Sequence, residues 1–393
     1  MKKIQEAQKY LKEAQLDGWL LYDFHGNNPL TRHFLDIPNH QITTRRFFYW
    51  IPVKGEPTRL VHAIEPHVLD SWPGEKRTFL SWQSLEGEVG RILKGAKRVA
   101  MEYSPRNAIP YVSCIDAGTA DLVRSFGVEL VSSADFLPHF TAVLTQQQGE
   151  SHIRAGEACS QIVAKVWKWI GDQLKQGRET TEYDVQQKIV AEFKAAHLLT
   201  DHPPIVGVNA HSADPHYEPL KESSSPIRKG DFILIDLWAK EKGEGAVYGD
   251  ITRVGIAAER PTKRQQEIFE IVRKAQRAAV SLVRDRFTHR KRIEGWEVDD
   301  AARRVVKEAG YGEFFLHRTG HSIELSVHGS GAHMDNLEMH DVRPILPGTC
   351  FSVEPGIYFP GEFGIRLEHD VYVHKDGTVQ VTGGEEDQIV CLF

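Results

Sequence analysis

Cysteine is scarce in this chain: four among 393 residues, Cys114, Cys159, Cys350 and Cys391, with no CxxC pair. That scarcity argues against a disulfide framework and a thiolate zinc site, and it makes a reduced, cytoplasmic protein the default. Long apolar runs are missing as well, and no stretch reaches the length of a membrane-spanning helix. The opening MKKIQEAQKYLKEAQLDGW begins basic but lacks the unbroken apolar core of a secretory leader. An excess of one charge is absent too. Net charge is −6 with both signs interspersed, so no basic footprint for nucleic acid is present. Proline-rich and low-complexity segments do not occur.

What remains is ordinary globular composition, 41% hydrophobic and 26% charged, at a length that predicts two domains. Ile4, Ala7, Leu11 and Ala14 recur at helical spacing over residues 4–16, and after Gly18 the run WLLYDF reads as a strand. RFFYWIPV and TRLVHAI flank KGEP as a hairpin, and RVAMEY and VELVSS read as strands around a helix near 114–126. These elements predict a small α/β domain over residues 1–145. The polar stretch TQQQGES (145–151) marks the boundary, and residues 146–393 form the second domain. There a long helix runs from Ile153 to near Gly177, with further helices near 181–197, 261–287 and 296–309. β-Rich stretches lie near 231–238, 246–256, 349–359 and 365–374.

One of those strands poses a problem. SPIRKGDFILIDLWAK (225–240) reads as a buried strand running into Asp236, and a lone buried carboxylate is costly unless something neutralises it. An internal repeat supplies the partners. SPIRKGDFILID (225–236) lies over RPILPGTCFSVE (343–354) without a gap at an offset of 118 residues. Asp236 then falls on Glu354, and the same offset places Asp250 on Glu368. A fainter echo joins TEYDVQQKIV (181–190) to WEVDDAARRVV (296–306) at an offset of 115. The second domain therefore reads as two diverged helices-then-hairpin units about a pseudo-twofold axis.

Strand alternation puts Phe232, Leu234 and Asp236 on one face, and Cys350, Ser352 and Glu354 on the matching face of the second copy. Each hairpin brings two acids together, and the pseudo-twofold brings both pairs to one point. Four converging carboxylates repel one another and mostly protonate unless cations neutralise them. Two divalent ions about 3.5–4 Å apart, bridged by carboxylates, are the usual arrangement for activating water. Helix caps and surface salt bridges would explain any one of these acids, but not four on one repeat.

Two histidines, His321 and His328, stand in RTGHSIELSVHGSG (318–331), and His321 is the candidate imidazole ligand. His211 and His216 occupy the corresponding place ahead of Asp236 and suit substrate contact better than metal. Other catalytic motifs fail. There is no HExxH pair, GHSIE lacks the second glycine of a GxSxG elbow, and GEGAVYG falls in a hairpin turn rather than between strand and helix.

These residues resemble the pita-bread metallopeptidases of family M24: prolidase, aminopeptidase P and methionine aminopeptidase. DPHY, ILIDLW, GDITRV, TGHSIELSVHG, SVEPGIY and GIRLEHDV run in family order through the C-terminal half. The resemblance implies an α+β fold, a duplicated pita-bread domain preceded by a smaller α/β creatinase-like domain. It implies the metal ligands Asp236, Asp250, His321, Glu354 and Glu368, with Asp250 and Glu368 bridging two divalent ions, Mn or Co, with Zn or Fe as alternatives. It implies hydrolysis of Xaa-Pro bonds in dipeptides or short peptides by a hydroxide held between the ions. Glu354 would shuttle the proton, His216 and His328 would steady the substrate, and Arg366 and Tyr358 would orient a carboxylate. His211, His340, Arg343 and Tyr358 are the substrate-binding candidates, and a cytoplasmic homodimer is implied.

Ser322 and Glu324 stand where relatives carry glycines, which predicts a carboxylate approaching the substrate channel. His340, with Arg343 nearby, replaces an arginine that holds the dipeptide carboxylate in prolidases. Two other readings stay open. One is aminopeptidase P-type removal of the N-terminal residue from longer Xaa-Pro peptides. The other is a binding member without hydrolytic activity, or a creatinase-like amidinohydrolase.

Overall fold

Strand β1 (Gly18–Asp23) is buried at every position because both faces of its sheet are covered. The computed structural model describes residues 2–38 and 40–393, which divide into two compact units, Met1–Thr141 and Ala142–Phe393. In the first unit α1 (Lys2–Glu13) buries Ile4, Ala7 and Leu11, and ends before Ala14, which is exposed. After β1 come α2 (Pro29–Phe34), β2 (Phe47–Pro52), β3 (Thr58–His62), β4 (Glu75–Phe79) and α3 (Trp82–Ile92). β5 (Arg98–Met101), α4 (Ala117–Ser125), β6 (Glu129–Ser132) and α5 (Pro138–Thr141) complete it. The six strands lie in the order β4-β3-β2-β1-β5-β6, and the predicted β2–β3 hairpin is antiparallel.

The two units divide between Thr141 and Ala142, and TQQQGES lies just past that division, at the start of α6 (Gln146–Lys175). Thr145 caps the helix and Gln148 reciprocates in a capping box, which turns a polar stretch into a helix start. α7 (Glu182–Ala195), β7 (Leu198–Leu199), β8 (Ile205–Val208), β9 (Phe232–Glu241) and β10 (Gly249–Ile256) form the first half. α8 (Lys263–Thr288), α9 (Gly295–Glu308), β11 (Ser322–Ile323), β12 (Cys350–Val353), β13 (Gly356–Phe359), β14 (Phe363–Arg366) and β15 (His369–Val373) form the second. β16 (Val379–Thr382) pairs with β15, and β17 (Val390–Cys391) returns to pair with β10.

The duplication is visible in small contacts. Thr181, the cap of α7, bridges Pro226, and Glu294, the cap of α9, bridges Pro344. Gly230 and Gly348 both turn the chain at positive φ just ahead of β9 and β12. The helix caps correspond at an offset of 113, so the helical echo at 115 was two residues out of register.

β9 is buried on both faces. Ile233, Ile235, Leu237 and Ala239 pack with Ile162 and Val166 of α6 and Val185 and Ile189 of α7. Phe232 and Leu234 join Ile268, Phe269 and Val272 of α8 together with Phe351 of β12. Asp236 continues that second, inter-half face.

The second hairpin differs from the first. β9 and β10 form one unbroken ladder, whereas its counterpart splits into β12–β15 and β13–β14. The register is the same on both sides of the gap, which sets Glu354 across from Glu368. Pro355 has no N–H to give the ladder, and the N–H groups of both acids turn elsewhere. Glu354 N donates to Thr319 O at 2.7 Å, and Glu368 N donates to Thr252 O at 3.3 Å.

Candidate metal centre

The last of those bonds joins the halves at the acids. Asp236 of β9 lies directly opposite Thr252 of β10, with Asp250 two residues earlier on the same face. Asp250 N donates to Asp370 Oδ2 at 2.8 Å, and the Thr252 hydroxyl donates to Glu368 Oε2 at 2.6 Å. The offset of 118 that pairs Asp250 with Glu368 also pairs Thr252 with Asp370. The two cross-half contacts are thus pseudosymmetric equivalents.

Asp250, His321 and Glu368 come together so that one ligand atom from each lies within 4.8 Å of the others. Asp236, Asp250, His321 and Glu368 are all buried, at 8% exposure or less. The Glu354 side chain keeps 14% exposure, with its Oε1 3.4 Å from His321 Nε2. His321 Nε2 also lies 3.8 Å from Asp250 Oδ2.

Burial raises the carboxyls of Asp236, Asp250 and Glu368, and the neighbouring acids push Asp250 and Glu368 further. For Asp236 the Arg366 guanidinium opposes the rise. Burial takes Glu354 up to about 7. Burial likewise holds His321 well below the usual imidazole range, so it is neutral. Its Nδ1 faces the Ser322 carbonyl at 3.3 Å and carries the proton. Nε2 therefore turns a lone pair toward two carboxylates, an arrangement that a cation between them would reconcile. One oxygen each of Asp236 and Asp250 is buried without a hydrogen-bond partner among the described residues. Oxygen-rich, anionic and underbonded, the donor set fits hard divalent cations.

Arg366 ties the cluster to the scaffold. Its Nη2 donates to Asp236 Oδ2 at 2.6 Å, and its Nε donates to the Thr252 hydroxyl at 3.0 Å. Nη1 donates to Tyr358 OH at 3.2 Å. His317 Nδ1–H donates to the Arg318 carbonyl at 2.7 Å, so its Nε2 accepts the Tyr358 hydroxyl, also at 2.7 Å. Tyr358 is fully buried in this chain of bonds, which holds Arg366 and leaves the phenol no access to substrate. Thr252, Asp370 and His317 were missed from sequence; for the first two, carrying the repeat two residues past Asp250 and Glu368 would have found them.

The remaining candidates divide. His328 is exposed and sits edge-on to His321, ring centroids 4.3 Å apart. His216 is exposed and near enough to Asp236 to act on its charge. His211 instead binds buried Glu182 at 2.9 Å and stacks on Tyr217. His340 is exposed, with Nδ1 2.7 Å from Asn336 Oδ1 and its ring tilted against Trp296. Arg343 is a correction. It is fully buried, bound through Nε and Nη2 to Asp341 and through Nη1 to the Ser330 carbonyl, and so cannot reach a substrate carboxylate. Glu324 is another: it bends into its own loop rather than toward a channel.

The model of metallopeptidase family M24 matches residues 150–375. The chain belongs to metallopeptidase family M24. Among M24 relatives, a probable dipeptidase PepE of Mycobacterium tuberculosis is 33% identical over 276 residues, which is 68% of this chain. That match spans 66% of the relative, just under two thirds of its length. An Xaa-Pro dipeptidase of Lactobacillus delbrueckii subsp. lactis is 26% identical over 313 residues, 78% of this chain and 77% of the relative. The crystal structure of dipeptidase PepE from Mycobacterium ulcerans superposes with a TM-score of 0.71 at 26% identity. It covers 100% of this chain and 97% of that one, so the α/β unit and the duplicated pita-bread unit both follow the M24 peptidase fold.

Proposed function

We propose that this protein is a divalent-metal-dependent peptidase that hydrolyses the Xaa-Pro bond of dipeptides or short peptides. One observation carries the reading: a neutral His321 aims its Nε2 lone pair at acids whose oxygens are buried and underbonded. Membership of family M24 and the dipeptidase names of the curated relatives support it. The bond before proline lacks an N–H, so its hydrolysis needs a site of its own rather than a general protease.

Asp236, Asp250, His321, Glu354 and Glu368 would hold the ions. Divalent cations bound there would neutralise the cluster and supply the Lewis acidity that polarises a carbonyl and lowers the pKa of water. The chain's own groups do the rest. Glu354 takes a proton from the attacking water at a carboxylate oxygen as the water oxygen bonds to the carbonyl carbon, and passes it to the proline nitrogen as the C–N bond breaks. His328 and His216, at the exposed edge, donate hydrogen bonds to the developing oxyanion. Arg366 and Thr252 fix Asp236 and Glu368 so that the acids do not spread apart. Mn or Co, a homodimer and a cytoplasmic setting complete the proposal.

Turnover of Xaa-Pro against Xaa-Pro-Yaa-Zaa, with added Mn²⁺ or Co²⁺, tests it. The expected result is metal-dependent cleavage with preference for the dipeptide. Preference for the longer peptide would move the assignment to the aminopeptidase type, and no cleavage of either would refute the reading.

A further inference from the structure

Glu324 places a carboxylate three residues after the proposed metal ligand His321, and the structure shows where that carboxylate goes. It is 7% exposed and spent on its own loop. Oε1 accepts the Ser322 hydroxyl at 2.9 Å, Ser330 N at 2.8 Å and Gly331 N at 2.9 Å. Oε2 accepts the Ser330 hydroxyl at 3.1 Å. From the other side, the Ser330 carbonyl accepts Arg343 Nη1 at 2.7 Å. Arg343 is itself fixed on Asp341, through Nε at 2.9 Å and Nη2 at 2.6 Å. Ser330 is thus gripped between a buried glutamate and a buried arginine–aspartate pair.

The surrounding sequence is fitted to this grip. A Cβ on Gly329 would stand 2.6 Å from the Glu324 carboxyl carbon, and one on Gly331 would stand 2.5 Å from the Ser322 hydroxyl. Glu324 and Ser322 fill the space that side chains at 329 and 331 would need. Between the two ends of the grip, at the exposed turn, lies His328, edge-on to His321.

We infer that Glu324 is a positioning residue that closes the 325–330 loop and thereby sets His328 against His321. Ser322, Ser330 and Arg343 are the other parts of the latch. What His328 does for turnover rests on the peptidase reading above; the closure of the loop does not.

Hydrogen exchange and kinetics on the full-length, metal-loaded protein test the two parts separately. In Glu324→Gln, which keeps the side chain's size, the Ser330 and Gly331 amides should exchange faster by about tenfold or more, with β12 and β15 unchanged. In kcat/KM on an Xaa-Pro dipeptide, Glu324→Ala should cost about 10–100-fold, as loss of an outer partner does. That cost should vanish when His328→Ala is already present, because Glu324 acts through His328. Unchanged exchange at Ser330 and Gly331 would overturn the closure. A Glu324→Ala cost that persists in full beside His328→Ala would overturn the positioning role. A wild-type protein inactive on every Xaa-Pro peptide would refute the peptidase reading, and the exchange result alone would then decide the closure.

Discussion

Both units of the molecule bury carboxylates, and two of those sites, Glu102 in one and the acid cluster in the other, hold them in opposite ways. Glu102, in the α/β unit, is fully buried, and both its oxygens are met by donors. Trp19 Nε1 donates at 2.7 Å, Asn28 Nδ2 at 3.0 Å, Thr31 Oγ1 at 2.9 Å and Ser133 Oγ at 3.3 Å. In the other unit Asp236 and Asp250 are nearly as buried, yet each keeps an oxygen without a partner among the described residues and faces further acids. Burial alone therefore does not mark a functional acid. The difference is bonding: a carboxylate saturated by neutral donors knits a fold, and a starved group of carboxylates waits for cations.

Removing one acid from each unit should separate the two cases most sharply. Glu102→Ala leaves the four donors facing a void and is expected to cost about 3–5 kcal/mol of stability, with or without metal. Asp250→Asn should leave the metal-free protein no less stable, because it relieves repulsion, while abolishing metal uptake. Chemical denaturation of both variants, with and without chelator, checks this; a large loss in metal-free Asp250→Asn would erase the contrast.

The pH dependence should differ as well. With metal removed, carboxyls raised by burial bind protons more tightly folded than unfolded. Their stabilisation is full at low pH and is lost as pH rises through the folded value, about 7 for Glu354 against 4.5 unfolded. The melting temperature of the chelated protein should fall by a few degrees between about pH 5 and 8, and restored metal should flatten that slope. Calorimetry across that range is the check, and a slope indifferent to metal would count against the cluster.

A smaller effect distinguishes the supporting hydroxyls. Thr252→Val deletes the group between Arg366 Nε and Glu368 Oε2 at nearly constant volume. It should lower kcat/KM about 10–100-fold. Thr31→Val, which deletes one of the donors to Glu102, should leave kcat/KM alone and cost about 1 kcal/mol. Steady-state kinetics and melting curves on the pair would show whether the two kinds of site are truly distinct.

Much of this was legible in the sequence, for identifiable reasons. The repeat exposed Asp236, Asp250, Glu354 and Glu368, because the two copies keep the fourteen-residue spacing of their acids. The β2–β3 hairpin and the long helices announced themselves by periodicity. α3 and β4 did not: WQSLEGEVGRI carries two glycines, and EKRTF is mostly exposed and does not alternate. The break at Glu354–Pro355 was invisible because it depends on where two N–H groups find acceptors outside their own hairpin. Arg343 and Glu324 were misread for a related reason. A charged residue near a site suggests ligand contact, and only the fold shows its donors or acceptors already spent.

Above all, the acids of the duplicated hairpins are proposed to hold metal. Elemental analysis of protein purified without chelator, wild type beside Asp236→Asn, tests it most directly. Two divalent ions per chain are expected in the wild type, and fewer, with activity lost, in Asp236→Asn. A wild type that neither carries nor takes up divalent ions, or an Asp236→Asn protein with full metal and full activity, would contradict it.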